Sequence, residues 1–213
     1  MGSSTISLGL GLGGGKASTS SGSLAGSSFT EDYSVSLDGT DDYIDVGDDS
    51  SLAPANLTLS CWFKASGSVG TFNYLIARNG NTYGAYYLRY TSANKFNYFL
   101  GFAPGGATQS HAYFDSAFSL TDWHHVALTY DGSYIKGYVD GSEDYSIAET
   151  RALSYTADST YGTDTWIGKG KYSDPAEGLI DEVAIFNLSL IHISEPTRLL
   201  SIWDAGGWVK KKR

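Results

Sequence analysis

Short apolar runs alternate with polar turn clusters along most of the chain. Runs rich in Val, Ile, Tyr, Phe and Trp, bounded by Gly, Asn and Asp, are typical of antiparallel strands. No long segment of helical period separates these runs, which argues against an α/β fold with parallel strands. The sequence therefore predicts an all-β sandwich. Its predicted strands are 33–38, 43–46, 57–64, 74–78, 86–90, 95–102, 123–130, 134–139, 163–167 and 178–186.

Turn signals stand between several of these strands. Glycine supplies the positive φ that tight hairpin turns require, and Asp or Asn before it favours the turn. The pair Asp131-Gly132 lies between two strongly apolar runs and is the strongest hairpin prediction. The same signal occurs at Asp38-Gly39, Asn79-Gly80 and Asp140-Gly141.

Residues 1–30 form a Gly/Ser-rich segment that cannot offset its ordering entropy by burial within itself. The sequence predicts a flexible arm in front of the folded domain. Alternate apolar residues from Ile6 to Leu12 would also suit addition of a strand to an exposed sheet edge. A plain linker and a docking arm that joins other subunits therefore remain alternatives, with the linker favoured.

The charge and the apolar content of the chain exclude some classes of binding partner. Aromatic residues make up 14% of the chain and charged residues 17%, with a formal net charge of -9. Such an acidic chain lacks the basic stripe that phosphate binding needs, so nucleic acid is excluded as a partner. No apolar run approaches the roughly 20 residues of a membrane span, so no membrane insertion is expected. No signal peptide is evident, and Cys61 is the only cysteine.

Four segments, in order, resemble the laminin-G-like group of concanavalin A-like lectin and glucanase domains. They read SLDGTDDYIDVG, LTLSCWFK, TDWHHVALTYDGSYIKGYVDG and GLIDEVAIFN. The resemblance implies that residues 31–187 form one antiparallel jelly-roll β-sandwich. The bulky residues Trp62, Phe63, Trp166 and Ile167 are expected to fill its core. Such domains occur in adhesins, receptors, enzyme appendages and viral structural proteins, so the resemblance specifies the fold more than the ligand.

Residues 188–213 are interpreted as a C-terminal tail. Within it, residues 188–198 read LSLIHISEPTR, which resembles the translation of an adapter used in preparing sequencing libraries. This segment is interpreted as an artefact, and an ordinary surface helix is the alternative. The basic residues 210–213 receive no functional prediction.

The carboxylate pattern does not favour catalysis. Jelly-roll glucanases place two carboxylates on one strand face in a Glu-x-Asp-x-Glu spacing, as nucleophile and acid/base. This sequence has no such spacing. Asp181 and Glu182 are adjacent and so are expected to face opposite sides of a strand. The chain is therefore predicted not to be an enzyme, and a glycoside-active enzyme is the weakest of the functional alternatives.

Two neighbouring predicted strands offer a candidate ligand-binding surface. If Tyr86, Leu88 and Tyr90 face the core, the residues between them and their partners on the next strand face outward. Rings beside amide and guanidinium groups suit a glycan. The alternative is that a second layer or a neighbouring subunit covers these rings. The candidate ligand-binding residues are Tyr87, Arg89, Asn97 and Phe99.

The resemblance also implies a calcium ion near the rim of the sandwich. Calcium prefers six to eight oxygen ligands, which carboxylates supply. The candidate ligands are Asp38, Asp42 and Asp181, since the first and last strands are expected to lie close together. The alternative is that Asp beside Gly simply forms a turn.

These observations predict a non-catalytic adhesion module that binds carbohydrate or a cell surface. The alternative is a structural or decoration protein of a phage virion or appendage, which would contact other subunits through the arm. The expected partners are glycans or cell-surface polysaccharide, and the expected location is extracellular or the virion surface.

Overall fold

The structure is a computed structural model, and it describes most of the predicted sandwich. The described residues are 34–66, 72–80, 85–102, 108–119, 121–156, 162–171 and 175–187, with the backbone of 210–212. The predicted arm and the predicted adapter-derived segment both lie outside the described residues.

Strands dominate the described chain. The strands are β1 (Val35–Asp38), β2 (Tyr43–Gly47), β3 (Leu57–Ala65), β4 (Phe72–Arg78), β5 (Tyr86–Thr91), β6 (Phe96–Phe102), β7 (Thr108–Tyr113), β8 (His124–Tyr130), β9 (Tyr134–Val139), β10 (Ser142–Ala148), β11 (Thr165–Ile167), β12 (Glu177–Phe186) and β13 (Lys210–Lys212). One 3-10 helix, Ser50–Leu52, accompanies them in the described part. No described helix has the length and apolar character needed to cross a membrane.

The strands form two antiparallel sheets. The six-stranded sheet has the order β1-β12-β3-β8-β9-β10, and the seven-stranded sheet has the order β13-β2-β11-β4-β5-β6-β7. Inward residues of both sheets form one apolar core, as in a sandwich packed face to face. The prediction of an all-β antiparallel sandwich is confirmed.

Alternation along each strand decides which residues enter the core. On β3, Leu57, Leu59, Cys61 and Phe63 are buried between the sheets, because every second side chain of a strand points to the same face. Burial raises the pKa of the Cys61 thiol. A thiol held in its protonated form is a poor nucleophile, so Cys61 behaves as a small apolar core residue.

Two of the residues expected in the core lie elsewhere. Phe63 and Ile167 are core residues, but Trp62 and Trp166 are not members of the core cluster. Each tryptophan is adjacent to a core residue on its strand and therefore points to the opposite face. Trp62 lies beside the His125 ring, with ring centroids 5.4 Å apart. Trp166 is buried as predicted, at 8% exposure, but on the outer face, and Trp62 is only partly buried. The prediction that both tryptophans fill the core between the sheets is therefore wrong.

Asp-Gly turns connect consecutive strands of the six-stranded sheet. Asp140 and Gly141 have φ of 50° and 79° and form the two-residue connection between β9 and β10. Positive φ at both positions is the signature of the turn that best matches the twist of a hairpin. The predicted Asp131-Gly132 turn joins β8 to β9, and the Asp131 carboxylate accepts hydrogen bonds from the amides of Ser133 and Tyr134, each 2.7 Å.

Candidate functional site

The outer face of the seven-stranded sheet carries aligned aromatic and polar side chains. Strand register places them in two rows across the sheet, because directly paired residues of neighbouring strands share a face. Leu88 and Tyr98, which alternate with members of these rows, point into the core. The first row is Asp45, Trp166, Ala77, Tyr87, Phe99 and His111. The second row is Tyr74, Arg89, Asn97 and Tyr113.

The rings of the two rows pack against one another. Tyr87 and Phe99 stack with centroids 5.2 Å apart and planes at 20°. Tyr74 meets Tyr87 edge to face at 5.0 Å, and His111 meets Tyr87 at 6.3 Å. Tyr74, Ala77, Tyr87 and Phe99 form an apolar cluster distinct from the main core. The sandwich thus has a small second apolar layer on its outer surface.

Arg89 joins the aromatic and polar parts of this face. Its Nε donates to Asn97 Oδ1 at 2.7 Å, and Nη1 donates to the Tyr74 hydroxyl at 3.1 Å. Its Nη2 lies 3.4 Å from His111 Nε2. The Phe72 ring lies over the guanidinium, 3.7 Å from Cζ to the ring centroid. Arg89 is thereby fixed by four residues from three other strands.

The predicted ligand-binding residues share this face but are largely covered. Tyr87 is 9% exposed, and Arg89, Asn97 and Phe99 are less exposed. Exposure rises toward β7, the edge strand, where His111 is exposed and Tyr113 is 44% exposed. The surface of the two rows that a ligand could contact therefore lies at their β7 end. The role of the four residues in ligand binding stays a prediction.

Of the two basic side chains at the β7 end, Arg89 and His111, only Arg89 carries a positive charge at neutral pH. Partial burial of its ring lowers the pKa of His111, and the positive charge of Arg89 lowers it further. His111 is therefore mainly neutral at pH 7 and adds a hydrogen-bonding ring without a second charge. Its Nε2 lies 3.1 Å from Asn97 Oδ1, so His111, Asn97 and Arg89 form one polar network.

A second cation and ring group lies at the opposite end of the first row. The Lys169 Nζ lies 4.2 Å from the centroid of the Tyr43 ring and 4.6 Å from that of Trp166. Tyr43 and Trp166 meet edge to face at 6.4 Å. Aromatic rings beside a cation suit a sugar in the same way as the β7 end. These residues were not predicted as part of the candidate site, because the strand order that aligns Trp166 with Tyr87 is a tertiary property.

The predicted calcium ligands are only partly brought together. Asp38 and Asp42 lie with Asp41, each offering one carboxylate oxygen within 4.8 Å of the others. Asp181 lies elsewhere: β1 pairs with β12 so that Asp38 faces Glu177, four residues before Asp181. At about 3.3 Å per residue, that offset is roughly 13 Å.

The turn itself occupies part of the Asp38 carboxylate. Its Oδ1 accepts backbone N–H groups of Thr40, Asp41 and Asp42 at 2.9, 3.3 and 3.4 Å. These donors, with Thr40 contributing most, lower the pKa of Asp38. The donor chemistry of the three carboxylates fits a hard cation, and they supply part of the six to eight oxygens that calcium takes. Calcium binding here stays a prediction.

The fold and this face define a class of protein: an antiparallel sandwich of the concanavalin A-like type with aromatic rings on its outer face. Residues 38–192 match the family model described as the Concanavalin A-like lectin/glucanases superfamily. The chain belongs to this family, and the resemblance noted from its sequence is confirmed.

Several solved structures share the fold. The IT-sialidase CBM40 of Ruminococcus gnavus, also solved with α2,3-sialyllactose bound, aligns with TM-score 0.60 and 16% identity, covering 74% of this chain and 91% of that chain. A putative carbohydrate binding protein from Bacteroides ovatus aligns with TM-score 0.55 and 19% identity, covering 73% and 44%. Domain 4 of a GH43 extracellular arabinanase from Geobacillus stearothermophilus, in complex with arabinotriose, aligns with TM-score 0.53 and 18% identity, covering 74% and 71%. At these identities the likeness shows the fold alone. No curated protein matches the chain.

Proposed function

We propose that the protein is a non-catalytic carbohydrate-binding module that binds a glycan at the β7 end of the outer face of the seven-stranded sheet. The observation that carries this proposal is the polar network of Arg89, Asn97 and His111 set among packed rings. Rings supply stacking surface for a sugar, and fixed polar groups orient its hydroxyls. The relatives named above that carry oligosaccharides support the same class of ligand.

The distribution of carboxylates supports a binding role over a catalytic one. Retaining and inverting glycosidases both need two carboxyl groups, separated by about 5 to 9.5 Å. The two rows hold one carboxylate, Asp45 on β2, and its own backbone turn engages it through the Gly47 amide at 3.1 Å. Asp45 is three strands away from Arg89, or roughly 14 Å at about 4.8 Å per strand.

Replacing Tyr87 by Ala tests the proposal. Tyr87 lies at the centre of the ring cluster and contacts the Phe99 and His111 rings. Its loss should displace these rings and lower glycan affinity about tenfold or more, as measured on an array of oligosaccharides followed by calorimetry. Tyr138→Ala is the matched control, because Tyr138 is 8% exposed on the outer face of the opposite sheet.

The two variants should lose similar amounts of stability, since each removes a nearly buried tyrosine ring from an outer face. Equal glycan affinity in Tyr87→Ala and Tyr138→Ala would remove the Tyr87 face from consideration. The same array, run with calcium and then with chelator, tests the predicted ion: loss of binding in chelator would show that glycan binding depends on calcium.

The alternative of a virion or appendage structural protein receives no support from the relatives named above. It stays a prediction, as does an extracellular or virion-surface location. If the protein bound no glycan on a broad array, in calcium or in chelator, the result would favour that alternative over a binding module.

A further inference from the structure

Arg89 is a buried cation whose described partners are all neutral. It is 5% exposed. Its hydrogen-bonding neighbours are an amide, a hydroxyl and an imidazole. The ion pairs in which both partners are described are His124–Asp140, Lys136–Glu143 and Arg151–Glu149, and Arg89 is in none of them. A buried charge without a counter-charge is unfavourable, which is why buried cations are normally paired.

The guanidinium also has donors to spare. It carries five N–H groups in a planar fork. Asn97 and Tyr74 each accept one of them, and one N–H of Nη2 lies toward His111 Nε2. At least one N–H on each terminal nitrogen therefore remains without a described acceptor. Phe72 covers the flat side of the group, so the remaining donors are available only in its plane. Two donors on one guanidinium match the two oxygens of a carboxylate or sulfate.

The side from which a ligand reaches Arg89 is set by exposure. Phe99 and Asn97 are buried, whereas His111 and Tyr113 on β7 are exposed. Because Nη2 lies 3.4 Å from His111 Nε2, the guanidinium edge points toward β7. Asp45, the one carboxylate of the two rows, lies three strands away on the other side of Arg89. An anion that enters over β7 therefore meets a cation whose nearest carboxylate in the two rows is three strands away.

We propose that the glycan bound at the β7 end carries a negative charge, as a carboxylate or a sulfate ester, which Arg89 holds through its free N–H groups. This inference rests on the proposed carbohydrate-binding function and adds the class of sugar to it. An Arg89 that only positions Asn97 and Tyr74 would give no preference for charged sugars.

The test measures affinity for four named probes by titration calorimetry with the full chain. Sialyllactose and a hexuronate oligosaccharide carry carboxylates, a sulfated oligosaccharide carries sulfate, and lactose is neutral. The wild type should bind at least one anionic class about ten- to a hundredfold more tightly than lactose, the effect expected of charged hydrogen bonds. The carboxylate and sulfate arms identify which oxyanion is recognised.

Arg89→Gln should abolish this preference, so that the variant binds lactose and the anionic probes with about equal affinity. Arg151→Gln is the control, because Arg151 also lies over an aromatic ring, Phe102 at 4.6 Å, but is paired with Glu149 and lies outside the two rows. It should keep the wild-type preference. If Arg89→Gln does not fold, a sodium chloride titration of the wild type decides: affinity for the anionic probe should fall with salt.

The outcomes separate the two proposals. Equal wild-type affinity for lactose and for the anionic probes overturns the inference and leaves the carbohydrate-binding function standing. A preference that survives Arg89→Gln, or anionic binding that salt does not weaken, also overturns the inference. Binding to none of the four probes, together with a silent array, overturns both.

Discussion

At the scale of single residues, Leu88 and Arg89 are neighbours on β5 and yet contact different parts of the molecule. Leu88 is buried in the main core between the sheets, while Arg89 lies in the polar and aromatic network of the outer face. Alternate side chains of β5 therefore face either the core, where they contribute to stability, or the outer surface, where they can contact a ligand. Replacing Leu88 should affect folding first, whereas replacing Arg89 should affect binding first.

Two histidines make stability depend on pH. Burial lowers the pKa of His125, against the smaller opposing effect of Asp140, and burial together with Arg89 lowers the pKa of His111. Below their ordinary pKa of about 6.5 the unfolded chain therefore binds more protons than the folded protein. The free energy of unfolding should be highest above pH 6.5 and should decrease as the pH falls below it.

Thermal unfolding at pH 7.5, 6.5 and 5.5 measures this dependence. The midpoint should drop across the series in the wild type and change less in a His111→Gln/His125→Gln double variant. The range stops at pH 5.5 so that carboxylates contribute little. A wild-type midpoint that rises toward pH 5.5 would contradict the assignment of lowered pKa values.

The sequence predicts which strand residues share a face of the sheet, but it does not predict how far those residues are buried. The alternation of apolar and polar residues places Tyr87, Arg89, Asn97 and Phe99 on one face, and the register agrees. Their coverage depends on what lies above the sheet, which no local pattern encodes. The assignment of Trp166 to the core failed for a related reason: a large ring suits a core and an outer ring cluster equally well.

At the scale of elements, the hydrophobic pattern of the sequence predicts central strands more clearly than edge strands. Each of the ten predicted strands has a counterpart in the structure, within about two residues at either end. The strands β7, β10 and β13 were not predicted. All three lie at a sheet edge, and β7 and β10 are polar and largely exposed. A polar edge strand protects a sandwich against pairing with other chains, and the same polarity removes its hydrophobic signal.

The segment after β11 supports the site through a glycine. A Cβ on Gly170 would lie 2.5 Å from the Tyr74 ring, whose hydroxyl accepts a hydrogen bond from Arg89. Gly170→Ala should therefore displace Tyr74 and Arg89, lower glycan affinity severalfold, and cost about 1 to 3 kcal/mol of stability through overpacking. Calorimetry with the glycan and urea unfolding measure the two effects.

Gly137→Ala is the matched control for this substitution. A Cβ on Gly137 would lie 2.5 Å from the Phe114 ring, which is a core residue. This variant should lose stability to a similar extent but keep glycan affinity in the folded fraction. Unchanged affinity in Gly170→Ala would show that the Tyr74 position does not matter for binding.

At the scale of the whole molecule, the interpretation of residues 1–30 as a linker makes a prediction about assembly. Every strand of the described sandwich begins after residue 34. Deletion of residues 1–28 should therefore leave the unfolding midpoint, the glycan affinity and the molar mass in light scattering unchanged. A smaller assembly after deletion would instead support the docking-arm alternative and the contact with other subunits that it implies.

The sequence predicted a sandwich but not the order of its strands. Hairpin turns such as Asp140-Gly141 connect strands that follow one another, and these connections were recognisable. The pairing of β12 with both β1 and β3 joins distant parts of the chain. Its cause lies in the packing of the complete core, so the resemblance to a known family was the only guide to it.

Those distant pairings also determine how the chain can fold. Val35 pairs with Ile180, and Ile44 pairs with Ile167, so strands from the beginning and the end of the sandwich lie side by side. Loop closure over such separations slows folding, and sandwiches of this kind typically fold in milliseconds to seconds. During synthesis on a ribosome, the edge of β3 that pairs with β12 has no partner strand until β12 has been made. The interval before that moment is when a chaperone would be most useful to this protein.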